Sequence, residues 1–349
     1  MVEGLMQGEV FCHSGHIGYI NSLDIDSTDH QLLLCGGSDS AISIWDVDVD
    51  RSDIQTTPLC KLDMKIGHDY GLSKVQWWPF DQSMFFTGSF DFTVKVWDSS
   101  ELDVVYSFDF ENKVYNFDVN RHDENGLIAV GLSTPLIRLV DLRSVGSIQT
   151  LKGHHSGSVL SVKWSPTNSN VLASAGSDGT VRIWDIRQAN QQLASLDLLR
   201  TNLKQSLTDP EFRKAHRAVS NGLAWNYSGS ELLSLGLDNK ARVWSELDDG
   251  GVNKSINFGP LFQDRRQQTM DPCVSLESHH DKPVVFLPSD TGDILKCSLE
   301  DGKLIQRLVP PGKEARHNRQ ASFIARGSEI NQYFSSACDG SIIRWFYDD

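Results

Sequence analysis

Paired cysteines are missing from this chain: Cys12, Cys35, Cys60, Cys273, Cys297 and Cys338 form no CxxC and no short paired spacing. Neither a zinc site nor a disulfide framework is indicated, and the six read as reduced thiols. Long apolar runs are lacking too. None approaches the roughly 18 residues of a membrane-spanning helix, and residues 1–10 have neither the basic start nor the apolar stretch of a secretory signal. No membrane partner is expected. Positive charge is in deficit, with 32 Lys and Arg against 46 Asp and Glu, a net −14. Bulk binding to nucleic acid depends on lysine and arginine replacing counterions along phosphates, so direct nucleic-acid binding is not expected. No GxxxxGK segment, no HExxH and no isolated His/Cys cluster occurs. Neither cofactor nor metal is expected.

What the chain has in abundance is repetition. Five times a histidine is followed 22 to 24 residues later by an aspartate, and six residues further on by a tryptophan. The sets are His16/Asp39/Trp45, His68/Asp91/Trp97, His154/Asp178/Trp184, His216/Asp238/Trp244 and His317/Asp339/Trp345. Before each tryptophan the residues alternate, as in Val181 and Ile183 on one face with Arg182 on the other, which is the period of a strand. Nine residues beyond the histidine comes an apolar position: Ile25, Trp77, Trp164 counted from His155, and Trp225. Units of four short strands at such a period build the blades of a propeller. Fainter units fill the gaps, one through Val114 to Leu151 and one from about Cys273 to Leu308.

The fold expected is therefore all-β, one seven-bladed propeller across residues 1–349, with blades near 16–62, 68–108, 113–151, 154–197, 216–258, 272–308 and 316–349. The last unit has residues for three strands only. Residues 8–13 are expected to supply its outer strand and close the ring, which removes the bare edges an open ring would leave. Nine tryptophans suit the thin cores between blades, where each ring buries about 150–250 Å². Rim loops are expected at 197–215, 264–271 and 310–319.

Four residues before the aspartates stand Thr87, Ser174, Ser234 and Ser335, with Cys35 in the first unit. Histidine, hydroxyl and aspartate together could suggest a nucleophilic triad. Repetition argues against it, since one protein does not need five triads and each set falls at the same turn of its unit. A buried chain running from indole through hydroxyl and imidazole to carboxylate is the structural reading. The chain is not expected to be an enzyme.

Residues 170–187, NVLASAGSDGTVRIWDIR, resemble the WD-repeat family. The ending Trp184-Asp185-Ile186-Arg187 resembles the WDxR signature of receptors that dock on the damaged-DNA-binding adaptor of cullin RING ubiquitin ligases. Val140-Asp141-Leu142-Arg143 repeats its aspartate and arginine one blade earlier. The segments VQWWP at 75–79, SFDFTVKVWD at 89–98 and FDFENKVY at 108–115 are similar to the Cockayne syndrome A family of WD-repeat receptors. That resemblance implies a non-catalytic substrate receptor in the nucleus, acting in transcription-coupled nucleotide excision repair. Trp184, Asp185, Arg187, Asp141 and Arg143 would face the adaptor. The opposite face would meet the stalled RNA polymerase and a Cockayne syndrome B-type repair translocase. Two alternatives stand beside it: Arg187 pairs with an acid of a neighbouring blade and does nothing more, or the ring is a scaffold in another nuclear complex, histone-binding or RNA-processing. Trp78 and Phe92, each beside an inward-facing neighbour, are expected to be exposed and open to a partner.

Overall fold

The computed structural model describes residues 5–12, 16–48, 57–62, 67–122, 126–144, 146–151, 155–188, 192–198, 214–245, 247, 251–259, 263–264, 269–275, 282–311, 320–326 and 332–347. Their regular structure consists of strands grouped into seven four-stranded antiparallel sheets. The chain opens with β1 (Met6–Cys12). Blade 1 is β2 (Ile20–Ile25), β3 (Leu32–Gly37), β4 (Ile42–Asp46) and β5 (Cys60–Leu62). Blade 2 is β6 (Leu72–Trp77), β7 (Met84–Ser89), β8 (Thr93–Asp98) and β9 (Val104–Asp109). In blade 3 run β10 (Val114–Val119), β11 (Leu127–Leu132), β12 (Ile137–Asp141) and β13 (Gly146–Leu151), and in blade 4 β14 (Val159–Trp164), β15 (Val171–Gly176), β16 (Val181–Asp185) and β17 (Gln192–Ser195). Blade 5 holds β18 (Ser220–Trp225), β19 (Leu232–Gly236), β20 (Lys240–Ser245) and β21 (Val252–Asn253). Blade 6 holds β22 (Cys273–Val274), β23 (Val284–Pro288), β24 (Ile294–Ser298) and β25 (Leu304–Leu308). Blade 7 combines β26 (Gln320–Ala325), β27 (Gln332–Ala337) and β28 (Ile342–Tyr347) with β1.

The first and last strands of the chain thus share a sheet, as expected, though β1 begins two residues earlier than residue 8 and ends at Cys12. Its side chains explain the attachment. Glu9 Oε1 accepts from Arg344 Nε at 2.6 Å, and the Arg344 guanidinium lies over Phe11 at 5.6 Å. Phe11 meets Phe334 and Trp45 edge-on at 5.4 and 6.2 Å, joining blade 7 to blade 1. A second clasp comes from buried Arg326, which donates to His30 O at 2.8 Å, Val47 O at 3.2 Å and Asp48 at 3.2 Å.

Each apolar core lies between neighbouring blades, as with Trp77, Phe85 and Trp97 against Leu34, Ile42 and Ile44. Nearer the axis the blades are joined by hydrogen bonds from one inner strand to the next. Trp77 N–H donates to Asp24 Oδ2 at 2.7 Å, Val119 N–H to Gln76 Oε1 at 3.1 Å, and Trp164 N–H to Asp118 Oδ2 at 2.7 Å. An acceptor side chain at one position of the inner strand therefore fastens the following blade in three successive joints.

Candidate docking face

In the blades that carry them, the repeated sets join a histidine before the first strand, a hydroxyl of the second or third strand, an aspartate in the turn between those two and a tryptophan of the third. In blade 2, His68 Nδ1 contacts Asp91 Oδ2 at 2.7 Å and His68 Nε2 contacts Thr87 Oγ1 at 2.6 Å, while Trp97 Nε1 donates to the same hydroxyl at 2.8 Å. Blade 5 repeats this with His216 to Asp238 at 2.9 Å, His216 to Ser234 at 2.8 Å and Trp244 to Ser234 at 2.9 Å. Blade 7 shows Trp345 donating to Ser335 at 2.9 Å and Ser341 N–H donating to Asp339 at 2.9 Å. Its expected histidine, His317, lies outside the described residues.

Two members differ from expectation. In blade 4 the imidazole belongs to His155, which contacts Asp178 at 3.3 Å and Ser174 at 2.8 Å, with Trp184 donating to Ser174 at 2.7 Å. His154, the histidine expected in this set, lies outside the described residues. In blade 1 the hydroxyl comes from Ser43, which takes His16 Nε2 at 2.9 Å and Trp45 Nε1 at 2.8 Å. Ser43 sits directly across the ladder from Cys35, so the hydroxyl has moved one strand over at the same level. Sequence reasoning missed it because a cross-strand replacement is visible only once the register is known.

Glycine makes room for these pairs. A Cβ on Gly37, Gly176 or Gly236 would stand 2.4, 2.6 or 2.3 Å from the Nδ1 of His16, His155 or His216. Close approach of the imidazole therefore requires glycine there. Burial depresses the basicity of His68 and His216 beyond what Asp91 and Asp238 restore. The aspartates respond in the opposite sense. Burial alone would raise them, but the hydrogen bonds and charge of their histidines outweigh it, holding Asp91 and Asp178 well below the usual carboxylate range and Asp238 at about 2. The hydroxyls of Ser43, Thr87, Ser174 and Ser234 are fully buried and each is engaged by both an imidazole and an indole, which leaves them no path to a substrate.

A second recurring device follows the third strand. In blades 1 to 4 the aspartate closing that strand accepts the N–H two residues on: Asp46 from Asp48 at 2.9 Å, Asp98 from Ser100 at 2.8 Å, Asp141 from Arg143 at 3.0 Å and Asp185 from Arg187 at 3.0 Å. The turn is common backbone chemistry, and an arginine occupies it only in blades 3 and 4 of these four. Buried Asp185 also takes Arg187 Nε at 2.9 and 3.1 Å and Nη2 at 2.5 Å, yet the Arg187 side chain is 67% exposed. The hydrogen bonds from Arg187 hold Asp185 below the usual carboxylate range. Gln149 of β13 donates to Ile186 O at 3.3 Å, so the last strand of blade 3 braces the arginine turn of blade 4. The acid that Arg187 pairs with is its own neighbour in sequence, which fixes the guanidinium at the surface.

Trp78 is not exposed. It is buried at 6%, packed in the core between blades 2 and 3 and tilted against Phe80 and Phe86 at 5.1 and 5.9 Å. Strand β6 ends at Trp77, so alternation no longer governs the next residue. Phe92 is 41% exposed with φ of 78°, in the turn that carries Asp91 at the other end of the blade from Arg187. The two aromatics therefore do not form one site. Among the described residues no group of three or more His, Cys, Asp or Glu could hold a metal.

Seven four-stranded blades, a ring closed by its first strand, and indole–hydroxyl–imidazole–carboxylate chains define a WD-type propeller, and the chain belongs to the WD-repeat family. The WD domain, G-beta repeat (WD40), matches residues 8–46, 58–98, 146–185 and 210–245. The chain is 37% identical to WD repeat-containing protein ATCSA-1 of Arabidopsis thaliana, over 79% of this chain and 75% of that protein. It is 32% identical to Radiation-sensitive protein 28 of Saccharomyces cerevisiae over 76% of this chain, but this spans only 56% of that relative's length. Similarity also extends, at 23% identity over 64% of the chain and 51% of the relative, to histone acetyltransferase type B subunit 2 of Candida glabrata.

Proposed function

We propose that this propeller is a non-catalytic nuclear receptor that joins the damaged-DNA-binding adaptor of a cullin RING ubiquitin ligase to protein targets of transcription-coupled repair. The carrying observation is the turn at 184–187, where a buried aspartate orients an exposed arginine while the equivalent turns of blades 1 and 2 end in Asp48 and Ser100. A guanidinium held along one edge keeps donors free for a carboxylate or backbone carbonyl of a partner. Arg143, on the matching turn of blade 3, extends the same surface. Similarity to ATCSA-1 and to Radiation-sensitive protein 28 supports a repair role for the whole. The opposite face, with Phe92, is assigned to the stalled polymerase and its repair translocase.

Pull-down with purified adaptor tests this reading. Wild-type protein is expected to retain the adaptor, Arg187→Ala to reduce retention at least tenfold, and Arg143→Ala to reduce it less. Equal retention by Arg187→Ala, or none by wild type, overturns the docking assignment.

A further inference from the structure

The outer strands of the ring are not equally protected. Strands β5, β17 and β21 are two to four residues long and mostly buried or half-buried. In blade 6, β25 exposes Leu304 and Ile305 but carries Arg307, which pairs with Asp293, and its Gln306 takes Met6 N–H at 2.9 Å and donates to Met6 O at 2.7 Å. Short length, charge, proline and covering contacts are the usual devices that stop a sheet edge from recruiting another chain. In blade 2, β9 lacks them: its six residues contain no lysine, arginine or proline, and all but Phe108 are exposed. Val104, Val105 and Tyr106 are 39, 65 and 38% exposed.

The ladder shows which backbone groups this edge offers. Phe110 N–H donates to Phe92 O at 3.0 Å, one step beyond the ladder pair of Thr93 with Asp109. Bonded and unbonded pairs alternate along an antiparallel ladder, so Val94 and Phe108 exchange hydrogen bonds, as do Val96 and Tyr106, while Lys95 with Ser107 and Thr93 with Asp109 do not. The backbone N–H and C=O of Ser107 and Asp109 therefore point away from β8 and out of the blade. Among the described residues no hydrogen bond reaches them. Val105 is the extra residue of a bulge opposite Val96 and Trp97. Acids bracket the strand, with Asp98, Glu101 and Asp103 before it, Asp109 and Glu111 at its end, and no lysine or arginine in residues 98–111. A second copy laid antiparallel on this edge would set Glu101 and Asp103 against the same acids at the other end, between two chains of net −14. Like charges across a ladder are destabilising, so the edge is set against its own copy and in favour of a basic strand.

We propose that the outer edge of blade 2 takes an extended segment of a partner protein as a fifth strand, and that this segment carries lysine or arginine on both sides of a short apolar stretch. Its backbone bonds to Ser107 and Asp109, and its cations meet the acids at the two ends of β9. Tyr106, its ring 4.5 Å from that of Phe108 at the rim of the core between blades 2 and 3, offers an aromatic surface to the apolar side chains of the guest. In strand addition the main chain supplies affinity and alternate side chains supply specificity. Exposed ion pairs are individually weak, so here the charges select the segment and the backbone holds it. The site does not depend on docking through Arg187.

Fluorescence anisotropy with the full chain provides the test, and the probe is the labelled peptide Lys-Val-Thr-Val-Thr-Val-Lys, blocked at both ends. Binding is expected to be saturable and to slow hydrogen exchange in residues 104–109, read by mass spectrometry. A peptide N-methylated at its five inner residues, which cannot donate to a sheet edge, should bind at least tenfold more weakly, and so should one flanked by glutamate. Ser107→Pro removes an outward N–H that the pairing with β8 does not use, and is expected to weaken the lysine-flanked peptide at least tenfold. Glu101→Lys/Asp103→Lys should weaken that peptide about fivefold and strengthen the glutamate-flanked one, which keeps the test open if Ser107→Pro does not fold. Arg187→Ala should bind the probe as wild type does, which separates this edge from adaptor docking. No saturable binding, unchanged exchange in 104–109, equal binding of either control peptide, or wild-type affinity in both variants overturns the proposal. A dimer in solution that Ser107→Pro dissolves would give the edge to a second copy and overturns it equally.

Discussion

In blade 1 the hydroxyl linking His16 to Trp45 is supplied by Ser43, and its cross-strand neighbour Cys35 is a buried thiol. Removing that hydroxyl leaves a buried indole N–H and a buried imidazole nitrogen unpaired, which costs about 1–3 kcal/mol. Ser43→Ala is therefore expected to lower the urea midpoint. Restoring a hydroxyl at the position other blades use, in Cys35→Ser/Ser43→Ala, should recover much of the loss, since residues 35 and 43 face each other in the ladder. A double variant no more stable than Ser43→Ala would show that the two positions are not equivalent. The same reasoning applies to His155, where alanine should cost about 1–3 kcal/mol by stranding Asp178 and Ser174. That the imidazole belongs to His155 was already visible in the nine-residue count to Trp164, which starts from His155. The arginine of the WDIR turn was legible as well, because the aspartate and the N–H it accepts are two residues apart. Trp78 was misjudged because the strand ends just before it.

At the scale of elements, seven units were legible wherever the histidine, aspartate and tryptophan recur, and blades 3 and 6 were faint because they lack that chain. Blade 3 has Val140 and blade 6 has Cys297 where others place tryptophan, and both are buried without needing a hydroxyl. The inner strands hid their roles better. Asp24, Gln76, Asp118 and Lys163 look like ordinary polar positions of alternating strands, and only the ring brings them to a common axis. The closing strand β1 carries the clearest test at this scale. Met6, Phe11 and Cys12 are buried, and Glu9 meets an arginine whose side chain is 2% exposed. Deleting residues 1–12 uncovers that surface and the edge of β28, a loss on the order of 5 kcal/mol or more when buried Met and Phe are removed together. Calorimetry should show a melting temperature lower by several degrees. Glu9→Ala should account for about 1–3 kcal/mol of it, through the buried guanidinium left with fewer acceptors. An unchanged melting curve after the deletion would mean that the ring does not depend on this closure.

For the whole molecule, identical chains in several blades make stability a collective function of pH. Burial keeps the folded-state pKa of His68 and His216 below the ordinary value, so the unfolded chain takes up protons first as the solution is acidified. Proton uptake by the unfolded state lowers stability as pH falls, and for these groups the loss begins near an unfolded histidine pKa of about 6.5. Asp91, Asp178 and Asp238 are also depressed in the folded state, chiefly because their histidine partners outweigh burial. Their stabilisation is complete above the unfolded aspartate pKa of about 3.9 and disappears as pH falls toward the folded values. The two contributions share a sign and occupy separate windows. Stability measured by urea titration should be level above about pH 7, decline from about 6.5 downward, and fall again below about 4. In His216→Asn the first decline should be shallower, because one buried imidazole no longer resists protonation, while the low-pH limb attributed to Asp91 and Asp178 persists. A wild-type profile that stays level from pH 7 to 5 would rule out neutral buried histidines as the frame of the blades.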